Sequence, residues 1–163
     1  MITIMKARRE HVEGICRVCT LGYWDTYGEM RPASYIQRIV DEFYNSERVA
    51  REVQNGEYWV AVDGETVVGA GGGGMISDTE GELFALYVDP ERRYEGIGTL
   101  LLTAITDELR ESGAKVMWVS VAKGNKKGIP FYESRGFTLQ GERKAYASLD
   151  DEDYVSLRYF RQI

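Results

Sequence analysis

The stretch Leu86 to Leu102, LYVDPERRYEGIGTLLL, holds the residues whose types and spacing point most directly to chemistry. It reads as a strand ending at Val88, a break at Asp89-Pro90, a charged turn, a glycine pair at Gly96 and Gly98, and a helix. The first amides of a helix lack intrahelical acceptors and sit at the positive end of its dipole, so such a turn suits an anionic phosphate. Without a Cβ, each glycine lets the backbone come within hydrogen-bonding distance of phosphate oxygens. The ligand expected here is a pyrophosphate. A glycine pair that merely tightens a strand-to-helix turn is the simpler alternative.

Two strings together carry a family resemblance. Arg93-Tyr94-Glu95-Gly96-Ile97-Gly98 fits R/Q-x-x-G-x-G/A directly after a V-x-P, and Asn125 to Phe137, NKKGIPFYESRGF, resembles N-x-x-A/G-x-x-F/Y-Y-x-x-x-G-F. On these strings, in this order, the chain resembles the GNAT superfamily of N-acetyltransferases over nearly its whole length. The resemblance implies an acetyl-CoA cofactor whose pyrophosphate lies on the amides of Arg93, Tyr94, Glu95, Gly96, Ile97, Gly98 and Thr99. It implies that Leu86, Tyr87 and Val88 pair with the pantetheine as an extra strand would, with the Val88 N–H polarising the thioester carbonyl. It also implies that Asn125 bonds the cofactor arm and that the Tyr132 hydroxyl protonates the departing thiolate. Many members carry glycine where this chain has Tyr94, and often a basic residue at Glu95. Bulk and a carboxylate beside a phosphate site weaken cofactor binding unless both side chains point to water.

Each of these residues also has a plainer reading. Tyr132 could be a packed aromatic whose hydroxyl finds any partner, and Asn125 could cap a helix. Period-two alternation puts Glu82, Phe84, Leu86 and Val88 on one face of a strand. A carboxylate at Glu82 could then take the proton of an attacking amine, the role that the resemblance gives it, directly or through water; it could equally form a structural ion pair. Acceptor recognition, by resemblance, falls to the loop between the first two helices and to the last strands: Tyr23, Trp24, Asp25, Tyr27, Glu29 and Tyr146, with Glu82 beside them. Aromatic faces with interleaved carboxylates suit an ammonium group, or they cover a sheet edge.

With 163 residues, the chain is expected to form a single domain, 1–163. The net charge of −6 argues against a nucleic-acid backbone as partner. No apolar run reaches membrane-span length and no signal-peptide core opens the chain, so neither a membrane partner nor export is expected and the location is read as cytoplasmic. Cys16 and Cys19 form a C-x-x-C, but they lie in a helix-periodic segment with the only histidine, His11. Free thiols fit better than a zinc site or a Cys-His apparatus, and no metal is expected.

The elements that must position these residues follow from periodicity. Ile2–Lys6 is expected as a strand, Glu10–Leu21 as a helix ended by Gly22, and Tyr23–Met30 as an aromatic, acidic loop. A second helix runs from Ala33 to the mid or late forties, with Val49–Val53 continuing it or forming a short helix. Tyr58–Val62 and Thr66–Met75 form a hairpin, Ser77–Gly81 a turn, and Glu82–Val88 the next strand. Gly69–Gly74 satisfies G-x-G-x-x-G, but a strand rather than a helix follows, so packing or room for substrate explains it better than a dinucleotide. Thr99–Ser112 reads as a helix, Lys115–Val121 as a parallel strand, and Ile129–Arg135 as a short helix. A hairpin of Thr138–Ala147 and Tyr154–Arg161 around an acidic turn, Leu149–Asp153, closes the chain. The class is α/β with a mixed (α+β) sheet in the order β-α-α-β-β-β-α-β-α-β-β, the acyl-CoA N-acyltransferase arrangement, whose sheet splays between its fourth and fifth strands.

The activity implied is acetyl transfer from acetyl-CoA to a primary amine by direct attack in a ternary complex. The acceptor is a small-molecule amine or a peptide, and the residues do not choose between them. The rival is a non-catalytic acyl-CoA-binding sensor or regulatory module. Homodimers are common in the family, and nothing in the residues marks an interface.

Overall fold

The computed structural model describes residues 1–146, 148–149 and 152–163. Seven strands form one sheet: β1 Ile2–Lys6, β2 Trp59–Asp63, β3 Thr66–Met75, β4 Glu80–Val88, β5 Val116–Ala122, β6 Thr138–Lys144 and β7 Val155–Gln162. Their order is β1-β2-β3-β4-β5-β7-β6. Every pairing is antiparallel except β4 with β5. Parallel neighbours need a crossover, and α4, Ile97–Glu111, supplies it. The remaining helices are α1 Val12–Tyr27, α2 Ala33–Phe43, α3 Ser46–Gln54 and α5 Gly128–Glu133.

The sheet is covered on both faces, and β3 shows how the sequence arranges this. Val67 joins Ile15, Val18 and Cys19 of α1, while its neighbour Val68 joins Ile97 and Leu101 of α4. Successive strand residues face opposite ways, so adjacent valines serve two layers. Each fully buried Leu or Ile contributes roughly 1.5–3 kcal/mol. The glycines of β3 are packing residues: a Cβ on Gly69 would lie 2.9 Å from Ile97 Cγ2 and 3.0 Å from Leu101 Cδ1. Gly69, Gly71 and Gly73 let α4 sit close to the sheet, while a Cβ on Gly72 would meet Glu57 O at 2.1 Å.

Several boundaries differ from the sequence reading, each for a packing reason. Gly22 does not end α1, which runs on to Tyr27. A Cβ there would meet Tyr87 Cδ1 at 2.7 Å, so the glycine is a contact point rather than a stop. The expected aromatic loop is therefore largely the last turn of α1. The second helix breaks at Asn45, whose side chain accepts from the Arg48 amide at 2.8 Å and starts α3 as a separate helix. β4 begins at Glu80, two residues early, and α4 begins at Ile97. Within the expected last hairpin, Ala147 and the acidic-turn residues Asp150 and Asp151 lie outside the described residues.

One correction bears on chemistry. β3 and β4 slip register between Gly72 and Gly73, leaving Phe84 unpaired between Leu83 and Ala85. A bulge of one residue exchanges the two faces. Leu83, before it, and Leu86, after it, both pack with Ile105 and its neighbours on α4. Glu82 thus does not share a face with Leu86 and Val88.

Candidate active site

The parallel pairing of β4 with β5 runs only from Glu80–Val116 to Leu83–Val119. Beyond it β4 stays with β3 as far as Val88, and β5 stays with β7 as far as Ala122. The two strands part, and a cleft of about 190 Å³ opens between them. Its walls include Leu86, Val88, Ser120, Asn125, Phe131 and Tyr132.

The backbone of β4 turns alternate groups into this cleft. The Asp89 amide donates to Val68 O at 2.9 Å, so the antiparallel ladder with β3 uses Asp89 and, by alternation, Tyr87. Leu86 and Val88 present their N–H and C=O toward β5, where no strand pairs with them. Tyr87 faces the other way at the backbone, and its ring packs against Tyr23 and Tyr44.

The cleft ends on the first turn of α4. Gly96, the residue before it, takes φ +79°, a left-handed angle that glycine adopts freely, and a Cβ there would meet nothing within 4 Å. No side chain caps this helix, and its first internal bond is Leu100 N to Gly96 O at 3.1 Å. The amides of Ile97, Gly98 and Thr99 are thus without helical acceptors. Ile97 itself is core, and Thr99 Oγ1 accepts from Arg135 Nη2 at 2.7 Å. Uncapped amides, an open approach and an unpaired strand edge fit an extended, phosphate-bearing cofactor such as coenzyme A.

Neither residue that departs from the family pattern crowds this turn. Tyr94 is fully exposed at φ +66°, and Glu95 folds back onto Arg92 at 2.8 Å. Arg92 also holds Asp63 at 3.0 Å. Arg93 lines the cleft and is bound to Asp25, on the last turn of α1. Asp25 Oδ2 also accepts from Lys127 Nζ at 2.8 Å. One carboxylate therefore bridges the glycine turn and the loop before α5. Those contacts, chiefly the Lys127 hydrogen bond, hold its carboxyl below the ordinary range against the effect of partial burial.

Tyr132 is buried with its ring edge-on to Phe131 and Phe137, at 5.1 and 5.4 Å between centroids. Its hydroxyl bonds no described residue, and burial pushes its pKa well up, with Tyr27 adding to the shift. Asn125 proves to be a cap as well as a cleft residue. Its Oδ1 accepts from the amides of Lys127 at 3.1 Å and Gly128 at 2.8 Å, and the residue lines the cleft.

Glu82 is engaged elsewhere. Its Oε1 lies 3.0 Å from Arg158 Nη2, and its Oε2 lies 3.9 Å from Arg143. Both arginines also donate to Ser120 Oγ, at 2.9 and 3.1 Å. The expected acceptor residues scatter. Tyr27 lines the cleft, with burial pushing its pKa up to about 12. Tyr23 is core, its ring tilted against that of Tyr27 at 4.3 Å between centroids, and Trp24 packs at the edge of the same cluster. Glu29 is exposed, and Tyr146 lies against Phe43, away from the cleft. Sequence reasoning missed the bridging role of Asp25 and the partners of Glu82. The signal for the latter was Arg158, a charge set inside the apolar strand Val155–Phe160.

The cleft thus lies where a mixed sheet splits beside an uncapped, glycine-led helix, a fold and site suited to a phosphate-bearing cofactor. The model of the Acetyltransferase (GNAT) family matches residues 21–137, and the chain belongs to that family. The [ribosomal protein bS18]-alanine N-acetyltransferase of Escherichia coli K12 is 36% identical over 72 residues, 44% of this chain and 49% of the relative. The match thus spans about half the length of that curated relative. An uncharacterized N-acetyltransferase of Bacillus subtilis is 29% identical over 139 residues, 82% of this chain and 79% of the relative. Among solved structures, PaiA N-acetyltransferase of Thermoplasma acidophilum in complex with coenzyme A superposes with a TM-score of 0.84. It is 23% identical, over 100% of this chain and 99% of that one. At that identity the likeness is one of fold.

Proposed function

We propose that this chain transfers acetyl from acetyl-CoA to a primary amine by direct attack in a ternary complex. The observation that carries the reading is the unpaired edge of β4 at Leu86 and Val88, running into the uncapped amides of α4. Acetyl-CoA supplies an acyl group activated as a thioester. The amides from Gly96 to Thr99, with Arg93, hold its pyrophosphate, and Leu86, Val88 and Asn125 hold its arm. The Val88 N–H donates to the carbonyl oxygen as negative charge grows there, a contribution of around 3 kcal/mol. Tyr132 keeps its own proton at neutral pH and offers it to the leaving sulfur.

The proposed acceptor is an α-amine, on a peptide or an amino-acid-like compound. Among the described residues, no side chain lining the cleft is a carboxylate or an imidazole, and Glu82 is held by Arg158. The amine must then arrive already neutral or lose its proton to water. At pH 7 this takes roughly 1.4 kcal/mol for an α-amine of pKa near 8, against roughly 4.6 kcal/mol for a lysine-type amine near 10.4. The E. coli relative, whose name gives alanine as its acceptor, supports the same reading.

The proposal takes the chain as one domain acting in the cytoplasm. The free thiols of Cys16 and Cys19, one turn apart on α1, suit a reducing compartment. A homodimer is part of the proposal and is tested by sedimentation. The functional test is thiol release from acetyl-CoA over a panel of N-terminal peptides, amino acids, polyamines and aminoglycosides. Turnover on α-amines supports the reading. Tight acetyl-CoA binding with no turnover on any of them supports the sensor instead.

A further inference from the structure

On one face of β5 and β7, Met117, Val119, Leu157 and Tyr159 pack with Ile105 and Leu109 of α4. The alternate residues, Trp118, Ser120, Arg158 and Phe160, face the other way and remain half-buried. Trp118 stacks on Phe160 at 5.2 Å between ring centroids, and the Arg158 guanidinium lies over Trp118 at 4.9 Å. Ser120 carries this second face into the cleft, whose lining it shares with Tyr27 and Val88.

A hydroxyl oxygen accepts twice and donates once. Ser120 Oγ accepts from Arg158 Nη1 at 2.9 Å and from Arg143 Nη2 at 3.1 Å, so cations take both acceptor positions. Its proton is left to donate, and no described residue accepts it. Among the described residues, Glu82 is the one carboxylate that pairs with these arginines, at 3.0 Å from Arg158 but 3.9 Å from Arg143. Glu142, next to Arg143, is taken by Lys123 at 3.0 Å. Glu80 belongs to the far end of the face: it is in register with Val116, and its Oε1 accepts from the Trp118 indole at 3.2 Å. Two guanidinium groups and a hydroxyl proton thus converge on one carboxylate, in a chain whose net charge is −6. An ammonium with no anionic group of its own meets an unfavourable field there. A carboxylate close to the amine meets forked donors that match its two oxygens.

We propose that the acceptor carries a carboxylate near its amine, held by Arg143 and the Ser120 hydroxyl, with Arg158 orienting Ser120. This rests on the amine transfer proposed above and narrows its acceptors to acids. Two sources share the chemistry: the α-carboxylate of a free amino acid, and the side chain of an acidic residue following the N-terminal one in a peptide.

The first experiment measures binding without turnover, by calorimetry on the full chain loaded with coenzyme A. The probes are N-acetylamino acids with small, acidic, basic and aromatic side chains, each against its C-terminal amide, and N-acetyl-Ala-Asp-amide against N-acetyl-Ala-Asn-amide. At least tenfold tighter binding of an acid than of its uncharged mate is expected, with the gap closed in Arg143→Gln and narrowed in Ser120→Ala. A gap between free acid and amide assigns the α-carboxylate, and one confined to the Asp and Asn peptides assigns the side chain. Arg143 is about half exposed on the outermost strand, so its variant folds where Arg158→Gln would strand Glu82. Acids and mates bound alike throughout, or a gap unmoved in Arg143→Gln, overturns the proposal. Turnover of the corresponding free amines then separates the two readings. Acid-selective binding with no turnover keeps the carboxylate site and removes the transfer, whereas turnover that is equal on acids and amides keeps the transfer and removes the site.

Discussion

Glu82 of β4 and Arg158 of β7 reach each other over the intervening β5 at 3.0 Å, with side chains 13% and 14% exposed. Removing one partner of a buried pair strands the other, at a cost of about 3 kcal/mol or more, whereas replacing both by apolar residues is often neutral. Glu82→Gln should therefore lower stability in urea by about that amount. Glu82→Leu/Arg158→Met should return close to the parent. In the folded fraction of Glu82→Gln, the acid limb of the pH–rate profile should stay at the pKa of the acceptor amine. A limb that shifts or vanishes would restore Glu82 as the base.

Tyr132→Phe isolates the proposed proton donor. The hydroxyl bonds no described residue, so unfolding free energy should change little on its removal. Turnover should fall by about a hundredfold or more, the usual scale of general acid catalysis, with the dissociation constant of acetyl-CoA unchanged. A variant with full turnover would leave Tyr132 as a packed aromatic.

Asp25 stands where a cofactor phosphate would compete for Arg93 and Lys127. Asp25→Asn should bind coenzyme A severalfold more tightly, measured by calorimetry at low salt. The same variant should lose a pH-dependent part of its stability. A carboxyl whose pKa is lowered on folding contributes above the unfolded value near 4, and this is lost as the pH falls below it. The stability difference between parent and variant should thus shrink in acid.

Tyr94 occupies a left-handed angle at φ +66° with its side chain in solvent. Such an angle costs an L-residue about 1–2 kcal/mol, partly offset because glycine loses more freedom on folding. Tyr94→Gly should raise the urea midpoint by an amount equivalent to about 0.5–1 kcal/mol, with cofactor affinity retained. Gly96→Ala should do the reverse to stability, through its angle alone, since no neighbour crowds a Cβ there.

What the residues made legible was local and periodic. The turn at Gly96, the crossover helix and the αβ order could be read because helix starts and strand alternation leave marks within a few positions. What escaped depended on partners distant in sequence. Gly22 looks like a stop until Tyr87 is known to press on it. The face of Glu82 flips at a bulge opposite Gly72 and Gly73, and two consecutive glycines carry no side-chain pattern from which to see a slip. Asp25 meets Arg93 across 68 residues and Lys127 across 102, separations that no window of periodicity spans.

The tyrosines wedged between α1, α2 and β4 have a further use. Burial raises the phenol pKa of Tyr23, Tyr27, Tyr44 and Tyr87 above its ordinary value. Such groups favour the native state up to about pH 10, and that preference is lost as alkali ionises the unfolded chain first. In an alkaline titration the wedged phenols should ionise together, at a single break where the core gives way. The chain thus carries its own optical gauge of the packing between its first two helices and the sheet, readable without a dye or a label.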